Sequence, residues 1–219
     1  MLTVATSVHA QERGRGGGGR DGRSRGQAAA PKDPTYWASL GTGFLRLAPV
    51  ENGNTQALWD FGEGFPLTFS LERVVASGIS AGIGGSYLRA PLRYDGPTSL
   101  GGCGRCDAHA TVATYGAVIH SGGSGSQTGL YQVFRLFVGV MQFGAFEQDS
   151  PRRTLAPESA NKDFLFTAGY GFGYGIARDW RVELTADYMN SIHERDNLPG
   201  NAQTLSRHFL IGLGLRVGF

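Results

Sequence analysis

The sequence predicts an all-β fold: an eight-stranded, antiparallel, up-and-down transmembrane β-barrel behind a disordered N-terminal tail. Three observations predict it. Segments of about ten residues alternate between large apolar and small or polar side chains, and the connections between them alternate in length. No stretch approaches the ~20 consecutive apolar residues that a membrane-crossing helix needs. The 219 residues include 35 glycines, 17% are charged, and the mean hydropathy is −0.18. Such bland hydropathy suits a membrane barrel, because alternation halves the apolar density of each span. The length allows one domain with a tail.

The N-terminal segment is expected to lie outside the barrel. Residues 1–10 read as the remnant of a secretory signal peptide, with Val8 and Ala10 at the −3 and −1 positions and cleavage before Gln11. Residues 11–34 form a Gly/Arg-rich tail (QERGRGGGGRDGRSRGQAAA and four more) that cannot bury a core. Through Pro34 the cations are Arg13, Arg15, Arg20, Arg23, Arg25 and Lys32, against Glu12, Asp21 and Asp33. The rest of the chain is near neutral, so the net charge of +2 belongs to the tail. Arginine with glycine can track phosphates, but the tract has no aromatic residue for base stacking, so no nucleic-acid partner is expected. A flexible tether at the membrane surface is the expected role.

Residues 35–219 are assigned to the barrel. A first strand near Tyr36 to Leu47 places Tyr36, Ala38, Leu40 and Phe44 on one face. In the second, Phe65, Leu67, Phe69 and Leu71 oppose Pro66, Thr68, Ser70 and Glu72. In the third, Ile79, Ala81, Ile83, Gly85 and Tyr87 oppose Ser80, Gly82, Gly84 and Ser86. A fourth, near Thr111 to His120, alternates more weakly. A fifth, Tyr131 to Phe143, is apolar on both faces apart from Arg135, and its register stays open. The sixth, Asp163 to Ala177, sets seven large or apolar residues, Phe164 to Ile176, against a nearly bare face of Gly169, Gly171, Gly173 and Gly175. Such a face suits a narrow interior. The seventh points Trp180, Val182, Leu184, Ala186 and Tyr188 outward, with Arg181, Glu183, Thr185, Asp187 and Met189 inward. The eighth, Ser206 to Phe219, is apolar at every second residue from Phe209 to Phe219. Long connections are expected at Ala48–Gly64, Pro91–Ala108, Glu147–Lys162 and Glu194–Leu205. Shorter ones fall at Val75–Gly78, Ser121–Gly129 and Ala177–Asp179.

With these patterns the chain resembles the small eight-stranded outer-membrane barrels, the group of the outer membrane protein A transmembrane domain and the opacity-type, porin-like barrels. The resemblance covers about Tyr36 to Phe219. It rests on FPLTFSLERVVASGISAG (Phe65–Gly82), GYGFGYGIARDWRVELTADY (Gly169–Tyr188) and the terminal LGLRVGF. It implies a bacterial outer-membrane location, with membrane lipid and lipopolysaccharide as surroundings. It also implies that Leu215, Val217 and Phe219 form the assembly signal read by the barrel-assembly machinery. A monomer with a structural or surface-interaction, adhesin-like role through long extracellular loops is the expected function. The alternatives are a lipid A-modifying enzyme or a narrow pore.

The candidate site residues follow from the inward face. Glu72, Arg135, Arg181, Glu183, Asp187 and Arg216 point into a cylinder just wide enough to fill with side chains, where unpaired charge is costly, so a lumenal charge network is expected. Tyr36, Trp37, Tyr174, Trp180, Tyr188 and Phe219 are assigned to interfacial girdles. Cys103 and Cys106 form a lone CGRC, which lacks the partners of a four-ligand zinc site; a small disulfide ring in an exposed loop is expected. No metal or cofactor site is assigned. Ser191, His193, Glu194, Ser206 and His208 are the hydrolase candidates. Ser191 and His193 share a strand face ~7 Å apart, too far for a nucleophile and its base, so no catalytic residue is assigned.

Overall fold

The computed structural model describes residues 33–124, 127–157, 161–193 and 204–219. The signal-peptide reading, nearly all of the tail and Glu194 lie outside the described residues. The strands are β1 Tyr36–Arg46, β2 Val50–Asn52, β3 Ala57–Phe61, β4 Glu63–Gly64, β5 Leu67–Ala76 and β6 Ile79–Gly96. They continue as β7 Gly104–Ser121, β8 Gly129–Gln148, β9 Arg153–Leu155, β10 Asn161–Ala177, β11 Trp180–His193 and β12 Thr204–Gly218. Eight of them, β1, β5, β6, β7, β8, β10, β11 and β12, form an antiparallel ring that closes between β12 and β1. Closure leaves the terminal strand paired on both sides, so β12 presents no edge along its length from Phe209 to Gly218.

The register fixes the geometry of the cylinder. Successive cross-strand partners run from Tyr36 through Arg73, Ala81, Ile119, Leu136, Ala168, Tyr188 and Phe209 to Arg46, ten residues along β1 from the start. On eight strands this stagger corresponds to a strand tilt of about 40°. The 11 residues of β1 therefore climb roughly 25 Å along the axis, the height of a lipid-facing apolar band. Outward residues within that height are apolar and exposed, among them Leu40, Phe69, Ile83, Ile119, Phe134, Phe172, Leu184 and Leu213. Tyr36, Tyr174, Trp180 and Phe219 lie outward at the end that carries the start of β1, the end of β12 and the short turns. Tyr188 lies outward nearer the other end.

Trp37 departs from the expected girdle. It sits on the inward face of β1 and is 3% exposed, because strict alternation from Tyr36 and Ala38 turns it into the lumen. The open register of the fifth segment resolves with Tyr131, Val133, Arg135, Phe137, Met141 and Phe143 inward.

Two of the four expected long loops are largely strand, and a third is partly so. Pro91–Ala108 is strand up to Gly96 and again from Gly104, with only a short tip between. Ala48–Gly64 holds the β2–β3 hairpin and β4, and β3 pairs with β6 at Leu58–Phe61. Glu147–Lys162 contains β9, paired with β8. Most of Glu194–Leu205 lies outside the described residues. The cause is visible along β6. Up to Tyr87 the outward residues are apolar and the inward ones are Ser80, Gly82, Gly84 and Ser86. From Leu88 the phase flips: Leu88, Ala90, Leu92 and Tyr94 are buried inside, while Arg89, Pro91 and Arg93 face out. The lower barrel is apolar outside and polar inside, and the upper extension is the reverse.

β8 makes the same change through a bulge. Phe143 lies opposite Val112 and Phe146 opposite Ala110, so Gly144 and Ala145 together oppose one residue and parity is reversed. Both phenylalanines thereby reach the interior and flank Trp59, with ring centroids 5.7 and 4.4 Å away.

Candidate functional site

The interior has three levels, set by which inward residues each strand supplies. At the turn end, Arg216 on β12 reaches Glu72 on β5 at 2.5 Å and Glu183 on β11 at 3.6 Å. Ser80 donates to Glu72 at 2.5 Å, and Tyr131 donates to Glu183 at 2.8 Å. His120 lies 3.4 Å from Glu183. Arg181 sits over the Trp37 ring at 4.2 Å and near Tyr131 at 5.2 Å, and donates to the Ser124 carbonyl at 2.6 Å. Trp37 also lies 5.0 Å from the Arg216 guanidinium, so its ring serves two cations as a cation–π partner. Room for the Tyr131 ring comes from Gly173, where a Cβ would overlap it.

The middle level joins Arg135 on β8 to Asp187 on β11 by an ion pair, with Thr185 bonded to the same carboxylate at 3.4 Å. Around it lie Ser70, Ser86, Thr114 and the glycines Gly84 and Gly214, bounding a cavity of about 90 Å³, enough for several waters. Of the six residues proposed from sequence, Glu72, Glu183 and Arg216 form one cluster and Arg135 with Asp187 a second. Arg181 meets the Trp37 and Tyr131 rings and the Ser124 carbonyl. His120, Tyr131, Ser80 and Trp37 complete the network. Inward parity would have nominated each of them, but three carry no formal charge and His120 lies on the weakly alternating strand.

The upper level is an apolar cap. Trp59, Phe61, Leu88, Ala90, Leu92, Val112, Met141, Phe143, Phe146 and Leu165 pack together, fully or nearly fully buried. Two polar ties cross it. His193 donates from Nδ1 to Asp163 at 2.7 Å, and its Nε2 faces the Asn52 amide at 3.4 Å. His208 accepts the Ala48 backbone N–H at Nδ1, 2.9 Å away, which leaves its proton on Nε2 to donate to Ser191 at 2.9 Å. The first tie anchors the β2–β3 hairpin, and the second the segment leading into β2, to the β10–β12 wall. Tyr94, high in the cap, donates to the Ala156 carbonyl at 2.8 Å, and burial pushes its phenol up.

The hydrolase candidates are therefore distributed differently from a nucleophile–base arrangement. Ser191 pairs with His208 rather than His193, and it accepts the imidazole proton instead of giving one up. Ser191 and His193 are fully buried, and the Ser206 hydroxyl is buried without a partner among the described residues.

Cys103 and Cys106 form a disulfide with an S–S distance of 2.03 Å. It lies in part within a strand rather than wholly in an exposed loop, since Cys106 belongs to β7 and both sulfurs pack against the apolar cap. Outside the cap Arg105 pairs with Asp95 at 2.8 Å, and the His109 ring bonds to Glu147 at 2.9 Å and Asp149 at 2.7 Å.

No family model and no curated protein sequence matches the chain. Solved structures do resemble it. Neisserial surface protein A aligns with a TM-score of 0.51 at 9% identity, over 86% of this chain and 100% of that one. The outer membrane protein OprG from Pseudomonas aeruginosa aligns with a TM-score of 0.52 at 10% identity, over 85% and 98%. The chain has the fold of the small outer-membrane β-barrels.

Proposed function

We propose that this protein resides in a bacterial outer membrane and acts at the cell surface through the upper extension of its barrel, the closed body serving as its anchor. The observation that supports this most directly is the polarity reversal at Tyr87–Leu88. A lipid-facing band ends there, and a further storey with an apolar interior and a charged exterior stands above it. A disordered loop would need no buried core of its own, so this storey reads as a rigid platform for contact. Among its outward side chains are Arg93, Arg105 and Arg152, on or near the tips of β6, β7 and β9.

The test is a charge reversal on that platform. Cells displaying Arg93→Glu/Arg105→Glu are expected to lose most of whatever surface attachment the wild type confers, with the folded, heat-modifiable species intact on gels. Wild-type attachment by the folded variant would overturn the adhesive role. Catalysis on lipid A is not part of this reading, given the proton assignment at Ser191. Expression should leave the lipid A mass spectrum unchanged, and a new deacylated or acylated species would overturn that statement.

A further inference from the structure

We infer that the outer wall at the seam between β1 and β12 carries a binding site for the phosphate groups of a phosphorylated glycolipid in the surrounding leaflet. Its cationic residues are Arg46, Arg207 and Lys162. This rests on the outer-membrane reading above.

The site follows from where each strand leaves the apolar band. On β1 the outward series Tyr36, Ala38, Leu40, Thr42, Phe44 ends in Arg46. On β12 the outward series Leu215, Leu213, Ile211, Phe209 continues to Arg207. On β10 it is Phe166, Phe164 and then Lys162. Arg46 lies opposite Phe209, so Arg207, two residues further up the same face, is its diagonal neighbour at roughly 7–8 Å. Arg207 faces Asn190 on β11, whose partner on β10 is Phe166, and Lys162 stands four residues further up the same face of β10. With the stagger of the barrel, these positions come level with the top of the band, about 25 Å above Tyr36. A lipid whose chains lie along Phe44, Phe209 and Phe164 would hold its head group against these cations.

On the extension, Arg89, Arg105 and Arg153 are each bonded to a side chain. Arg46, Arg207 and Lys162 have no hydrogen bond or ion pair among the described residues. Other unpartnered cations among the described residues lie elsewhere: Arg73 at the opposite rim, Arg93 above the band between Asp60 and Asp107, and Arg152 in the turn between β8 and β9. Glu63 is the cross-strand neighbour of Arg46 on β4 and forms no ion pair with it, and three cations against this one carboxylate leave the local balance positive. Guanidinium forks suit phosphate oxygens bidentately, and partial exclusion of water beside lipid strengthens the pairing.

The experiment uses the full chain folded in detergent micelles, with folding verified by heat-modifiable mobility. Diphosphoryl lipid A is titrated into the wild type, Arg46→Ala/Arg207→Ala and the control Arg73→Ala. Dephosphorylated lipid A, phosphatidylglycerol and inorganic phosphate serve as the other probes. The expected result is about tenfold weaker binding of diphosphoryl lipid A to the double variant. Arg73→Ala should bind like the wild type, and Glu63→Gln should bind more tightly. Equal binding by the double variant, equal loss in Arg73→Ala, or equal affinity for phosphatidylglycerol or inorganic phosphate would overturn the site. If the double variant does not fold, the single Arg207→Gln carries the same comparison. A wild type that folds but does not bind lipid A removes this site alone. A wild type that never forms a β-rich species in micelles removes the outer-membrane reading itself.

Discussion

Arg216 shows how one side chain organises the lower interior. Its guanidinium touches both Glu72 and Glu183, and it and Glu72 are almost wholly buried. Replacing it with alanine strands buried carboxylates, so Arg216→Ala is expected to lower stability by about 3–5 kcal/mol in equilibrium urea unfolding from lipid vesicles. A loss within ~0.5 kcal/mol, the range of surface substitutions, would show that the network is not structural. The inward placement of the ionisable residues was legible because alternation is a property of a single strand. Which carboxylate meets which cation was not, since Glu72 and Arg216 lie 144 residues apart and meet only through closure. Trp37 was likewise legible from alternation. Its parity faced inward, and its ring stacks on Arg181 instead of meeting lipid.

At the scale of the element, β6 carries one alternating pattern into a second of opposite phase. The flip between Tyr87 and Leu88 is present in the letters ISAGIGGSYLRAPLRYDG. It reads as the end of a strand if apolar residues are required to face outward, and as a continuing strand if the apolar side may turn inward above the membrane. The β8 bulge at Gly144 and Ala145 hides the same continuity, because one extra residue shifts the count. The cap that these strands enclose should therefore behave as a protein core. Trp59→Ala removes a fully buried ring packed on Phe143, Phe146 and His193, and a cost of about 3–5 kcal/mol is expected. Limited proteolysis of the folded barrel should then cleave within the β2–β3 hairpin while the lipid-embedded part stays protected. Unchanged resistance would mean the cap does not depend on that ring.

For the molecule as a whole, the two kinds of interior decide permeability. A charge network at the turn end and an apolar cap at the loop end bracket the small cavity around Arg135 and Asp187. The expected outcome in planar bilayers is no discrete conductance from the wild type. Steady single-channel steps would favour the narrow-pore alternative.

The sequence by itself determined the faces of the strands within the membrane band, because side-chain direction has a period of two residues and needs no knowledge of neighbours. That was enough for a barrel with eight main strands, a polar lumen and an apolar exterior, including the closing run from Phe209 to Phe219. Only the tertiary structure decided where each face stops meeting lipid and starts meeting protein. The β2–β3 hairpin becomes the lid of a core because Asn52 and Trp59 find His193, Phe143 and Phe146 across the barrel mouth. Such contacts join residues far apart in the chain, and no local period encodes them. The same closure sets Arg46 beside Arg207 at the seam, which makes two distant arginines a single feature of the wall.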